Sequence, residues 1–217
     1  MPRPRPAAKH RRPDVVVKLG GSLLGSPHLA PWLDLLARCA GAGVAVAGGG
    51  PFADAVREAQ RRRSFSDAAA HRMAILAMEQ YAHLLAALAP GLRLAATAAE
   101  IAAACRAGAT PLWLPSRMTF GAPDIPESWE ATSDSLALWL AHRLGIARVV
   151  LVKSAPLPAG VAGAASLAAA GIVDPLVPRF LARMGVQCRC IEAGDAAAYG
   201  KALAGGTDAG TLLAADG

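Results

Sequence analysis

The chain has 217 residues, 54% of them hydrophobic and 18% charged, with a formal net charge of +6. That supports one domain with a sizeable core and excludes global disorder, while no uncharged apolar run reaches the roughly 18–20 residues of a membrane-spanning helix. Five of the 22 basic residues (Arg3, Arg5, Lys9, Arg11 and Arg12) precede the first acid, Asp14, and the other 17 face 16 acids, so the body is nearly neutral and lacks the basic stripe of a nucleic-acid binder.

Residues 1–13 are spaced by prolines and hold no apolar segment of the secretory kind. They are expected to form a disordered, solubilising basic tail ahead of a single domain at residues 14–217. Val15-Val16-Val17-Lys18-Leu19 reads as a buried parallel strand ending at Gly20-Gly21. A helix is expected from about Ala30 to Ala40, then a strand Val44–Ala47 that ends at Gly48-Gly49-Gly50. Pro51 suits the first turn of a helix running towards Arg63. Ser66 suits the cap of a long helix to about Leu88, apolar at Met73, Ile75, Leu76, Met78, Leu84 and Leu85. Thr97-x-x-Glu100 has the form of a capping box. Leu112–Leu114 reads as a strand, and Thr132-Ser133 as the cap of a helix from Asp134 to about Leu144. Val149–Val152 and Val186–Ile191 read as strands, and Leu212-Leu213 as a last edge strand. Strands separated by helices imply right-handed crossovers and an α/β fold, a three-layer αβα sandwich around a central, mainly parallel sheet.

Cys39, Cys105, Cys188 and Cys190 are scattered, the last two on one face of a strand; the pattern reads as reduced, buried thiols in a cytoplasmic protein. The five histidines show no metal-ligand spacing, and no residue is assigned to a metal.

Two glycine loops follow strands at the end of the sheet where α/β proteins bind ligands. They are Lys18-Leu19-Gly20-Gly21-Ser22 and Gly48-Gly49-Gly50-Pro51. Phosphate needs backbone N–H groups that approach closely, which a Cβ obstructs, and a following helix N-terminus adds partial positive charge. Lys18 sits in an otherwise apolar strand, where an ammonium is costly to bury unless an anion neutralises it. Tight strand-to-helix turns would also explain the glycines. Neither the P-loop nor the dinucleotide G-x-G-x-x-G spacing is present. At Trp129–Ser135 a helix start would aim N–H groups and hydroxyls at one point, although Asp134 in its first turn would ordinarily cap or offset the dipole.

Lys18–Ser22, Gly48-Gly49-Gly50-Pro51-Phe52, Thr132-Ser133-Asp134-Ser135-Leu136-Ala137 and Gly210-Thr211 stand in the order of the amino acid kinase superfamily, which the chain resembles from Val15 onward. Ser66-Asp67 through His71-Arg72-Met73-Ala74, Leu114-Pro115-Ser116-Arg117 and Ser128–Ser135 resemble one branch, the (aminomethyl)furanyl-methyl phosphate kinases of methanofuran biosynthesis. The resemblance implies an ATP- and Mg²⁺-dependent kinase, by family habit a homo-oligomer, that converts a small phosphomonoester into a diphosphate. It implies catalytic roles for Lys18 and Asp134, donor phosphates held by Gly20, Gly21 and Ser22, and a nucleotide end shaped by Gly210 and Thr211. Acceptor binding would fall to Gly48, Gly49, Gly50, His71, Arg117, Thr132 and Ser133. The acceptor would occupy the N-terminal half and the nucleotide the C-terminal half, with an acid-poor acceptor pocket. The chain departs from the superfamily after Val152. Where many members carry a Thr-Asp-Val-Asp-Gly-like loop it reads Lys153-Ser154-Ala155-Pro156-Leu157-Pro158. Lys153 is the residue there able to reach donor phosphates, and Arg179 or Arg183 stand as candidates for the superfamily's second catalytic lysine. A kinase of the same fold acting on another phosphate or a carboxylate, and a non-catalytic nucleotide- or oxyanion-binding storage protein, remain as alternatives.

Overall fold

A computed structural model describes residues 12–215; apart from Arg12 and Pro13, the expected basic tail lies outside the described residues. The elements run β1 (Val15–Leu19), α1 (Leu29–Arg38), β2 (Gly43–Ala47), α2 (Gly50–Arg63), α3 (Asp67–Leu88), β3 (Leu92–Ala95), α4 (Ala98–Arg106), β4 (Thr110–Trp113) and α5 (Ser116–Thr119). They continue with α6 (Ser133–Leu144), β5 (Arg148–Lys153), β6 (Val161–Gly163), α7 (Ala164–Ala169), α8 (Val177–Met184), β7 (Gln187–Glu192), α9 (Ala196–Gly205) and β8 (Thr211–Ala214). The eight strands form one sheet in the order β3-β4-β2-β1-β5-β7-β8-β6, parallel except where β8 runs against β7. The α/β sandwich expected from the strand–helix alternation is therefore present. The strand expected at the edge, Leu212-Leu213, is not an edge: β8 lies between β7 and β6, and β6 takes the rim. Its four residues, too short to reveal two partners by composition, pair on both sides.

Strand geometry sorts the core by parity, because successive side chains point to opposite faces. Val15, Val17 and Leu19 join one hydrophobic layer with Trp32, Leu36 and Tyr81 of α1 and α3. Val16, Val149 and Leu151 join the other, with Leu136, Trp139 and Leu140 of α6. Lys18 shares the phase of Val16, and Lys153 shares that of Val149 and Leu151. Both lysines thus project to the α6 side from neighbouring strands whose register pairs Lys18 with Leu151. In α3, positions 71, 75, 78, 82 and 85 form the buried stripe. Met73 and Leu76, expected among the apolar positions, fall off that stripe and are 41% and 43% exposed.

Candidate active site

The two glycine loops meet. Gly48 donates its N–H to the Leu19 carbonyl at 2.8 Å. A Cβ on Gly21 would stand 2.2 Å from the Gly50 nitrogen, and one on Gly48 would stand 2.6 Å from the Gly21 nitrogen. Close approach of two backbones, rather than turn formation alone, therefore requires glycine here. Pro51 stands in the first turn of α2, whose start brings the Gly50 end of the helix to the same place.

Behind the loops lies a charged centre. The Lys18 ammonium is 3.8 Å from where a Cβ on Gly20 would stand. It faces Asp134 Oδ1 at 2.7 Å, and Lys153 donates to Asp134 Oδ2 at 2.5 Å; all three side chains are buried. Burial pushes the Asp134 carboxyl upward, but the two ammoniums outweigh it and hold it down at about 2. Burial lowers the Lys18 pKa, with Asp134 opposing that shift and Lys153 adding to it. One carboxylate against two ammoniums leaves an excess of one positive charge in a desolvated place, which favours a further anion.

Asp134 is aimed by a residue that sequence reasoning missed. Asp174 Oδ2 accepts from the N–H groups of Thr132 and Ser135 and from their hydroxyls, at 2.9–3.0 Å, while its Oδ1 accepts from the N–H groups of Leu176 and Val177 at 3.1 Å each. One side chain therefore caps both α6 and α8. Thr132, predicted as the cap of α6, stands at that position without making the cap bond itself. Burial raises the Asp174 pKa and Asp134 pushes the same way.

A cleft of about 650 Å³ opens in front of the loops. Its floor is Gly21, Ser22, Gly49 and Gly50, with Thr132 and Ser133 at the start of α6. Ala53, Asp54 and Arg57 of α2 and Ala74 and Met78 of α3 form its walls, and Trp129 closes one side. The Arg57 guanidinium lies 4.0 Å from the Trp129 ring centroid, and the indole N–H donates to Gln60 Oε1 at 2.7 Å.

The profile of the "Amino acid kinase family" matches residues 14–156. The chain belongs to the amino acid kinase family. A relative from Methanocaldococcus jannaschii, described as "[5-(aminomethyl)furan-3-yl]methyl phosphate kinase", is 27% identical over 140 residues, and the alignment spans 63% of each chain. Among solved structures, the uridylate kinase of Archaeoglobus fulgidus superposes with a TM-score of 0.69 at 17% identity, covering 93% of this chain and 100% of that one. The UMP kinase of Bacillus anthracis gives 0.69 at 12% identity, covering 95% and 98%. At these identities the solved structures establish the fold alone, which this chain shares along nearly its whole length.

Lys18, Asp134, Gly20, Gly21, Ser22, Gly48, Gly49, Gly50, Thr132 and Ser133 converge at the strand ends, and Lys153 joins them on Asp134. Arg179 and Arg183 are exposed on α8, so Lys153 is the second lysine brought to the centre. Gly210 precedes β8 and Thr211 begins it, and the antiparallel course of β8 brings Thr211 beside Cys190 near the end of β7. There the Thr211 hydroxyl donates to the Pro158 carbonyl and Glu192 accepts from the Leu157 N–H, tying down the 154–160 loop. Ser154 of that loop, also missed, sits 2.9 Å from the Ser22 hydroxyl.

His71 and Arg117 do not line the cleft. His71 is buried on α3 and its Nδ1–H donates to the Ser128 carbonyl at 3.0 Å, while burial lowers its pKa. With the Arg72–Glu127 pair it pins the segment that carries Trp129. Arg117 is exposed on α5. The cleft's own cation is Arg57, and it holds one acid, Asp54. As for a metal, no group of three or more His, Cys, Asp or Glu among the described residues is placed to hold one, and the carboxylate at the centre is spent on two ammoniums. Mg²⁺ is usually held by one or two carboxylates together with substrate phosphates, so a divalent cation would arrive with the nucleotide as part of the substrate.

Proposed function

We propose that the protein transfers the terminal phosphoryl group of ATP to a small phosphomonoester, forming a diphosphate, with an aminomethylfuran phosphate of the kind named for the Methanocaldococcus relative as its acceptor. The observation that carries the reading is the placement of Lys18 and Lys153 on one shared carboxylate directly behind two abutting glycine loops. The acceptor occupies the cleft, its phosphate against Gly48–Gly50. The donor phosphates lie along Gly20–Ser22 beside Ser154, with the nucleotide towards Gly210-Thr211.

A phosphomonoester has a second pKa near 6 and is mostly dianionic at pH 7. No base is needed. An acceptor phosphate oxygen bonds to the γ-phosphorus as the bridge between the β- and γ-phosphates breaks, and ADP leaves with that electron pair. The obstacle is repulsion between the two phosphates. The excess positive charge of the Lys18–Asp134–Lys153 centre and the loop N–H groups offset it, consistent with a reaction governed by positioning and electrostatics. Asp134 orients both ammoniums and takes no proton.

The test is release of ADP from MgATP against a panel of phosphomonoesters and carboxylates. ADP that appears only with a phosphomonoester, and with a diphosphate product, supports the reading. Nucleotide binding with no acceptor-dependent ADP overturns it in favour of a non-catalytic anion-binding protein.

A further inference from the structure

Along α2, Gly50, Ala53, Asp54 and Arg57 follow the i, i+3, i+4, i+7 spacing of one helix face, and all four line the cleft. At 1.5 Å per residue, Asp54 lies about 6 Å and Arg57 about 10 Å along the axis from Gly50 at the loop junction. Arg57 is committed to the face of Trp129, and Trp129 to Gln60, whose amide in turn donates to Asp67 at 2.7 Å. That chain fixes a flat indole in the cleft wall, whose lining also includes the apolar Met78. Asp54 differs from its neighbours: among the described residues its carboxylate has neither an ion-pair nor a hydrogen-bond partner. Asp54 is exposed at the cleft, and a carboxylate there repels a ligand's phosphate while attracting a cation on the same ligand.

We propose that Asp54 is a specificity residue that binds the primary ammonium of the aminated phosphomonoester read above as the acceptor. The ring packs among the Trp129 and Met78 side chains of the lining, the phosphate sits against the glycine loops, and the ammonium reaches the first turns of α2. This rests on the reading of the cleft as the acceptor site. It assigns to one residue the choice between aminated and neutral phosphates.

The probes are 4-(aminomethyl)benzyl phosphate and 4-methylbenzyl phosphate, offered with MgATP to the wild type, Asp54→Asn and Asp54→Glu. The wild type is expected to favour the amine by about tenfold or more in kcat/KM. Asp54→Asn should lose that preference by weakening on the amine alone, Asp54→Glu should retain most of it, and the melting temperature should not move. Trp129→Ala should weaken both phosphates alike. Equal use of the two phosphates by the wild type, or equal losses on both in Asp54→Asn, overturns the proposal. Calorimetric binding of the same two phosphates reads the same preference without turnover. Should neither release ADP, the phosphotransfer reading falls while the role of Asp54 is still decided by whether amine preference vanishes in Asp54→Asn.

Discussion

Asp134 neutralises one of the two ammoniums that touch it, and both ammoniums are buried. Lys18→Met removes the surplus charge and leaves the Lys153–Asp134 pair intact. Phosphoryl transfer should then fall by at least about a hundredfold, while the melting temperature at pH 7 stays level or rises. Because burial depresses the Lys18 pKa, its charged form weakens the fold at neutral pH and is relieved only as pH climbs through the lowered value towards the ordinary 10.5. Asp134→Asn does the reverse, stranding two like charges, and should cost about 3–5 kcal/mol in urea unfolding. The Asp134 pKa is held at about 2 against an ordinary 3.8. Its contribution is therefore complete above about pH 4 and lost as acid takes the pH down through about 2, so the variant should show a flatter acid limb in that window. Lys18 was legible in the sequence as a charge within an apolar strand. Lys153 was equally legible in type but not in role, because only the parity of β5 against β1 shows that both side chains leave the sheet on the α6 side.

Helix α6 delivers Asp134, and its start is governed by a carboxylate 40 positions away in sequence. Asp174→Ala removes the cap from α6 and α8 together and leaves buried N–H groups without acceptors. A loss of about 2–4 kcal/mol is expected, measured by chemical denaturation, with a fall in turnover that Asp174→Asn should partly spare because it keeps an acceptor oxygen. Nothing in Val173-Asp174-Pro175 signals this partner, since local capping patterns look only three residues ahead. The capping box at Thr97 was readable for that reason: Thr97 Oγ1 accepts from the Glu100 N–H, and Glu100 returns to the N–H of Ala96. The helix after Pro51 was readable but not its cleft-lining face: Asp54 and Arg57 look like ordinary surface charges until α3 and the Trp129 segment are placed around the same cleft.

Across the whole molecule, the site exists because β1 and β2 are neighbours and end together, although their loops are almost 30 residues apart. Gly21→Ala would drive a methyl group into the Gly50 backbone and should pull the two loops apart, lowering both activity and melting temperature. Gly205→Ala, where an added methyl group would meet only the Thr207 hydroxyl at 3.9 Å, should change neither. Parallel strands covered on both faces were readable from their unbroken apolar runs. The short strands β3 and β6 were not read, and β8 was read as a strand but misplaced at the edge, because three or four residues carry too little pattern to distinguish an edge from an interior position.

The positive charge left unshared between β1 and β5 makes the fold a sensor of its own occupancy. An incoming oxyanion supplies the counter-charge that the polypeptide withholds, so loading the catalyst also tightens its scaffold. The starved protein is the more fragile form, and scarcity of substrate would expose it first to proteolysis.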